Sequence, residues 1–253
     1  MSESLFFNYL LTVWFALAAV IFVALFFVVA PYGRHVAKHW GATIKSSTGW
    51  IVMESTSPIL FAIYFMLGQN RVTLPVIALV VLWETHYVHR AFFYPLHRRG
   101  GDKPMPVLIV ALGFIFNGVN SYLNGRYIFT LSPGYPDNWL SDPRFIAGIL
   151  LFILGFIINR QADFTLHNLR KDGETGYDIA NSGLFRWVSC PNYLGEIMIW
   201  TGWAIATWSL AGLSFALWTA ANLVPRARAH DRWYRQNFPE YPANRKTLVP
   251  GIW

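Results

Sequence analysis

From Ser4 to Gly33 the chain carries no charged side chain. A helix needs only about 20 such residues to cross the hydrocarbon core of a bilayer. The run does not read as a secretory signal. The residues before it, MSES, offer no basic segment, and the apolar stretch exceeds the usual signal core of about 7–15 residues. It reads as a retained first span. Composition extends this reading to the whole chain: 55% of the 253 residues are hydrophobic and 13% are charged, where a soluble domain carries about 25% charged residues. That leaves too little polar surface to cover the protein in water, so its solvent is lipid.

Further apolar windows fall at 50–68, 72–95, 106–128, 144–159 and 192–225. The last is too long for one ordinary helix, and Gly202 or the stretch from Ser209 to Gly212 offers a place to turn. Two crossings there, with the N-terminus outside, put sixteen of the 20 lysines and arginines in inside loops or the C-terminal tail. These are Arg34, Lys38 and Lys45, then Arg98, Arg99 and Lys103, then Arg160, Arg170, Lys171 and Arg186. Arg226, Arg228, Arg232, Arg235, Arg245 and Lys246 follow. This asymmetry is what the positive-inside rule requires. The expected architecture is an all-α integral membrane protein, a single seven-span bundle over residues 1–253. Its N-terminus lies outside and its C-terminus in the cytoplasm. The inside loop 160–191 is polar and partly helical at its start, and the outside loop "LSPGYPDNWLSDP" is a connector.

An ionisable group inside a span is costly, so it faces the bundle interior and marks a site. Glu54 lies in the second window, and the run "WETHYVHRAFFYP" (83–95) crowds Glu84, His86, Tyr87, His89, Arg90 and Tyr94 into the third. Asn117, Asn120 and Asn124 recur at helical spacing in the fourth, where asparagines also serve as interhelical glue. Asn159 and Asp163 close the fifth span, Asn192 and Glu196 open the sixth, and Arg226, His230 and Asp231 follow the seventh. At about 100° per residue, Trp83, Tyr87, Arg90 and Tyr94 fall on one arc of a regular helix, about 60° wide. An aromatic stripe alone means packing. An arginine within it needs an anion or several acceptors, because it cannot shed its proton.

Other chemistries fit poorly. A single cysteine, Cys190, rules out an internal disulfide and any multi-cysteine metal site. The histidines form no H-x-x-x-H or H-E-x-x-H pattern, so no metal is expected. No G-x-G-x-x-G follows a strand, and no strand is evident, which removes the usual dinucleotide fold. A net charge of +7 belongs to loops facing a cytoplasm rather than to nucleic-acid binding. A nucleotide cofactor would have to sit among the helices and inside loops, where Arg170, Lys171 and Arg226 could meet phosphates.

The stretches "ETHYVHRAFFYP", "NSYLNGRY", "DPRFIAGILLFILGFIINRQADFTLHNLRK", "GLFRWVSCPNYLGE", "ATWSL" and "YPANRKTLVPGIW" together resemble the steroid 5α-reductases. These are membrane enzymes that reduce the 4,5 double bond of 3-oxo-4-ene steroids with NADPH. The resemblance runs through most of the chain and is strongest from about residue 143 onward. It implies a seven-helix bundle, with the steroid pocket mainly in spans 1–4 and the NADPH site mainly in spans 5–7 and the cytoplasmic loops. It further implies that Glu54 and Tyr87 form the catalytic pair. The cofactor positions would be Arg90, Tyr94, Asn159, Asp163, Arg170, Tyr177, Asn192, Glu196, Arg226, His230 and Tyr234. One departure stands out: some relatives read Asn-Arg-Gly-Arg-Pro after the third span, and this chain reads "HRRGGDKP", with Gly101 in the second arginine's place and Lys103 nearby.

The chemistry suits those residues. Hydride adds to the β-carbon of an enone only if charge growing on the carbonyl oxygen is stabilised. A tyrosine hydroxyl held by Glu54 can donate to that oxygen, and a protonated Glu54 can donate as well. The expected partners are a membrane, bacterial inner or endoplasmic reticulum, and a lipid-soluble steroid entering from the bilayer; the chain is expected to act as a monomer. Competing readings are a reductase of another conjugated or polyprenol-type lipid, an isoprenylcysteine-type methyltransferase and a non-catalytic sterol-binding protein. The topology can be tested independently. A reporter fused after Trp253 should report the cytoplasm and one inserted near Asp137 the opposite side; the reverse pattern would exclude the orientation.

Overall fold

The apolar windows become helices because a backbone without water must satisfy its own hydrogen bonds. A computed structural model describes residues 1–29, 41–97, 101–169 and 177–253. Its helices are α1 (Glu3–Ala24), α2 (Ser46–Met66), α3 (Leu74–Val88), the short α4 (Tyr94–His97), α5 (Val107–Arg126), α6 (Pro143–Asn168), α7 (Pro191–Thr207) and α8 (Leu210–Asn237). Among the described residues the fold is helical apart from one antiparallel ribbon of β1 (Thr43–Lys45) and β2 (Pro104–Pro106) and an isolated bridge between Val188 and Lys246, which corrects the expectation of no strand. Four segments among the described residues are long and apolar enough to cross a membrane: Glu3–Ala24, Ser46–Met66, Val107–Leu131 and Pro143–Asn168. Large apolar side chains stay exposed along them, among them Val13, Leu17 and Val20 on α1, Leu108, Leu112 and Ile115 on α5, and Leu150, Leu154 and Ile157 on α6. Apolar faces of that extent call for lipid.

Packing divides the chain into two units, Met1–Val13 with Ala30–Ile146 and Trp14–Val29 with Ala147–Trp253. In the first unit the ribbon joins the starts of α2 and α5. The first amides of a helix have no partner within it. Here Ser46 N–H donates to the Lys103 carbonyl (2.9 Å) and Ser47 N–H to that of Gly101 (2.8 Å). The stretch that departs from the relatives' motif thus caps α2 with its main chain; Arg98 and Arg99 lie outside the described residues. Met105 of the ribbon clusters with Met53 of α2 and Val110 of α5. Farther along, Phe61 stacks on Trp83 with centroids 4.4 Å apart, and Phe129 meets Phe61 edge-on. At the other end Arg126 grips Glu3 through two bonds of 2.7 and 2.8 Å. The connector before α6 is stitched down as well: Thr73 donates to the Tyr135 carbonyl, and Asp137 accepts from the N–H of Leu74.

Two helices lose their regular period. His89–Phe93 and Tyr127–Leu131 are π-helical, marked by the i→i+5 bonds Tyr94 N–H to His89 and Ser132 N–H to Tyr127. The wider turn adds a residue per cycle, so the single regular arc expected for Trp83, Tyr87, Arg90 and Tyr94 holds only as far as Val88.

In the second unit α6 and α7 meet through glycines spaced seven apart on each helix. A Cβ on Gly155 would lie 2.6 Å from the Gly195 carbonyl oxygen, and one on Gly202 would lie 2.5 Å from Phe152 N. Gly148 and Gly195 face backbone in the same way. Small residues let helices in lipid approach until their backbones touch. Gly202, one of two places where a turn was expected, is therefore a packing residue. The turn falls at Trp208, in the left-handed region (φ 45°), and Ser209, whose hydroxyl caps α8 by accepting from Gly212 N–H. α6 runs on to Asn168, so Arg160 and Asp163 are helical. Where α1 and α8 share the second unit, the Trp218 indole donates to the Trp14 carbonyl at 3.0 Å and the two rings lie 4.8 Å apart.

The glycine contact has a direct test. Gly155→Ala should destabilise the protein by about 1–3 kcal/mol, the usual cost of overpacking. Gly118→Ala, whose nearest neighbour would be 4.0 Å away, should be neutral or better, since alanine is the stronger helix former. Thermal unfolding in detergent compares the two; equal midpoints would contradict the contact.

Candidate functional site

The first unit gathers its polar side chains on α2, α3 and α5. Glu54 sits on α2 four residues before Pro58, which has no N–H to offer the Glu54 carbonyl. The helix therefore gives up one internal bond at the acid. Next to that break, Ser57 turns across to α5 and donates to Asn117 Oδ1 at 3.0 Å, while Asn117 Nδ2 donates to the Met53 carbonyl at 2.8 Å. Ser121, one turn on, reaches the Ser57 hydroxyl at 3.2 Å. Asn117 Oδ1 also accepts from the Tyr87 hydroxyl of α3 at 3.5 Å. Asn117, Ser57 and Ser121 are all buried, and Tyr87 is 3% exposed.

Arg90 occupies the π-helical segment. Its Nε lies 4.0 Å from Glu54 Oε1, and its guanidinium covers the rings of Trp50 (4.8 Å) and Tyr94 (5.0 Å). Such stacking is worth about 0.5–1 kcal/mol at exposed sites and more when desolvated. Trp50 is one turn before Glu54 on α2 and meets Tyr94 edge-on at 5.9 Å. An arginine held by an acid and two rings is fixed in place. π-Helical insertions of this kind occur often at functional sites. Glu54, Tyr87, Arg90 and Tyr94 therefore belong to one neighbourhood of α2, α3 and α4. Trp50, Ser57, Asn117 and Ser121 complete it. Of these only Asn117 stood out in the sequence, although Trp50 and Glu54, four apart, share a helical face.

The second unit builds another polar set from α6, α7 and α8. Asn159, 2% exposed, donates to the Asn192 carbonyl (2.9 Å) and to Glu196 Oε2 (3.0 Å). Glu196 Oε1 accepts from the Trp200 indole at 3.0 Å. Arg160 donates to Asn159 and forms an ion pair with Asp163 at 3.1 Å. Asn192 thus enters this network through its main chain. Nearby on α7, Tyr193 bridges two residues of α8, with its hydroxyl 3.1 Å from His230 Nε2 and accepting from Arg226 Nε at 3.1 Å. Tyr193 and Trp200 were not singled out in the sequence, though both flank Glu196 at helical spacing.

Below this turn the C-terminal tail is clamped. Ser189 donates to Asp231 (2.7 Å) and accepts from Tyr241 (2.7 Å), and Arg235 pairs with Asp231 at 2.9 Å. Burial is the largest influence on the Tyr241 phenol and pushes its pKa up, against the pull of Ser189 and Arg245. It keeps its proton and remains a donor. Tyr234 stacks on Tyr241 with centroids 5.1 Å apart, and Tyr177 meets Trp233 edge-on at 5.0 Å. These two candidate cofactor positions thus pack in the aromatic cluster that holds the tail. Arg170 lies outside the described residues.

Comparison with known proteins identifies the family. Residues 103–253 match the family model described as 3-oxo-5-alpha-steroid 4-dehydrogenase. The chain is 39% identical to Steroid 5-alpha-reductase DET2 of Gossypium hirsutum, with 100% of this chain and 99% of that protein covered. The corresponding protein of Arabidopsis thaliana is 40% identical over 100% of this chain and 98% of its own length. 3-Oxo-5-alpha-steroid 4-dehydrogenase 1 of Homo sapiens is 40% identical over 87% of this chain and 85% of the human protein. With both the family model and full-length relatives matching it, the chain belongs to the 3-oxo-5-alpha-steroid 4-dehydrogenase family of oxidoreductases.

Proposed function

We propose that this protein is a seven-span membrane enzyme, N-terminus outside, that reduces the 4,5 double bond of 3-oxo-4-ene steroids using NADPH. The observation that carries the reading is a pair of contacts, Tyr87 of α3 with Asn117 of α5 and Glu54 of α2 with Arg90 of the π-helical segment, brought close by the bond from Asn117 to the Met53 carbonyl. It occurs in a chain that matches steroid 5-alpha-reductases over its whole length. The single hydroxyl hydrogen that Tyr87 gives to Asn117 Oδ1 in this structure turns to the C3 carbonyl oxygen when the steroid binds, and the phenol then no longer donates to Asn117. Glu54 supports the pair and anchors Arg90. Reduction adds a hydride at C5, moves the electron pair to the C3 oxygen as an enolate, and ends with a proton at C4. Stabilising that oxygen is the protein's main catalytic task.

NADPH, when bound, supplies the hydride. The second unit has suitable chemistry for it: Arg226, 8% exposed, is a permanent cation beside a phenol and an imidazole, fit for a phosphate or ribose. Asn159, Asp163, Asn192 and Glu196 offer amide and carboxylate groups for ribose and nicotinamide. Arg90, Tyr94, Arg170, Tyr177, His230 and Tyr234 complete the proposed cofactor set. The exposed apolar helix faces suit a lipid-soluble substrate arriving from the bilayer.

Purified protein incubated with NADPH and a panel of enones tests the function directly. Reduced cofactor should be consumed, seen as loss of its near-ultraviolet absorbance, with 3-oxo-4-ene steroids and not with polyprenol-type or enoyl-thioester substrates. Consumption only with the latter would replace the steroid reading. Within the mechanism, Tyr87→Phe should leave NADPH binding intact and lower kcat by about 10²- to 10³-fold, the usual loss for one oxyanion donor. Glu54→Gln should be milder than Glu54→Ala, and Tyr87→Phe with Glu54→Ala should cost less than the product of the single losses, because the groups act as a unit. Full activity in Tyr87→Phe would contradict the mechanism. Arg226→Gln should weaken NADPH binding more than steroid binding, as titration of each ligand would show; the opposite pattern would misplace the cofactor.

A further inference from the structure

One groove in the second unit is used by none of the chemistry above. It has a volume of ≈ 570 Å³ and is lined by Phe22, Val23, Phe26 and Phe27 at the end of α1 and by Arg228 and Arg232 of α8. Pockets that bind small molecules span about 300–1,000 Å³. The Trp14–Trp218 contact sets the two helices side by side, and twelve residues on from Trp14, in the turn that follows α1, Phe26 lies 5.5 Å beneath the guanidinium of Arg228. The helices therefore run parallel into the groove.

Three features say what would fill it. First, Arg228 and Arg232 are one helical turn apart on the same face, where like charges repel. Among the described residues no carboxylate pairs with either of them; neighbouring Asp231 is already engaged by Ser189 and Arg235. An anion between the two guanidiniums would remove the repulsion. Second, the other wall is apolar, with Phe27 83% and Val23 58% exposed, so the occupant must carry hydrocarbon as well as negative charge. Third, both helices change character here. α8 has no charged residue from Leu210 to Val224 and turns basic from Arg226, and the uncharged run that contains α1 ends in the sequence at Gly33. That change marks the level of lipid headgroups, where aromatic side chains collect.

We infer that this groove is a binding site for an anionic phospholipid, with the phosphate held between Arg228 and Arg232 and the first acyl methylenes lying on Phe22, Phe26 and Phe27. Neither arginine belongs to the proposed catalytic or cofactor set, so the inference does not depend on the steroid reading. Basic pockets between membrane helices on the cytoplasmic side recognise lipid headgroups through this combination of charge and apolar wall.

Native mass spectrometry of the full-length protein in mild detergent, titrated with phosphatidylglycerol or phosphatidylcholine, tests it. Wild type should bind phosphatidylglycerol more tightly. An arginine near an anionic surface contributes roughly fivefold. Arg228→Gln and Arg232→Gln should therefore each weaken that binding by about this factor, and the double variant by about thirtyfold, without changing phosphatidylcholine binding. Val23→Trp keeps both charges and fills the groove, so it should also weaken phosphatidylglycerol binding; it decides the matter if the charge variants do not fold. Inorganic phosphate should not displace the lipid. Equal affinity for the two lipids, undiminished phosphatidylglycerol binding in the folded variants, or displacement by inorganic phosphate would each overturn the assignment.

Discussion

A polar group at the depth of the hydrocarbon has no water to bond, so it must find its partner inside the protein. That constraint organises the interior of this chain. Pro58 withholds an N–H from the carbonyl of Glu54, and immediately beside that gap Ser57, Asn117 and Ser121 bind α2 to α5. Tyr87 joins the same amide from α3. Asn117 is thus both a structural bridge and, before a steroid binds, the acceptor for the proposed oxygen-binding phenol. The dual role explains why so polar a set is tolerated in an apolar bundle: removing one partner would leave the others buried without a bond, at about 1–3 kcal/mol each.

The second unit meets the constraint differently. Its glycines bring α6 and α7 into backbone contact, and this close approach lets the short side chain of Asn159 reach both the main chain of Asn192 and the carboxylate of Glu196. A larger residue at Gly195 would press on the backbone of Asn159 itself, since its Cβ would lie 2.6 Å from Asn159 N. Helix packing and the placement of the polar set are therefore one problem, solved by the same four glycines. The tail clamp of Ser189, Asp231, Tyr241 and Arg235 acts on the helix that also carries Arg226 and His230.

How much was legible in the sequence follows from which signals are local. Long apolar runs are local, so the helices and the break near Ser209 could be read directly, as could the crowding of Glu84 to Tyr94. The π-helical turns could not: nothing in HRAFF distinguishes i→i+5 bonding from the regular i→i+4. The ribbon at Thr43–Lys45 was hidden by its length of three residues and by two prolines in its partner strand. Nor could Gly155 and Gly195 be matched without knowing that α6 and α7 are neighbours. Arg90 illustrates the general case. Its need for acceptors was plain from its charge, but Trp50 and Glu54 lie some forty residues away, and only the fold brings them together.

The central claim is that Tyr87, whose hydroxyl donates to Asn117 in this structure, turns that hydrogen to a bound steroid carbonyl and polarises it. The most direct measurement is the infrared stretching frequency of that carbonyl in a bound 3-oxo-4-ene steroid, isotopically labelled at C3 to separate it from the amide band. It should be recorded in the wild-type protein and in Tyr87→Phe. A hydrogen bond from the phenol weakens the C=O bond, so the account predicts a lower frequency in wild type than in the variant. An unchanged frequency, with steroid bound equally in both, would contradict it.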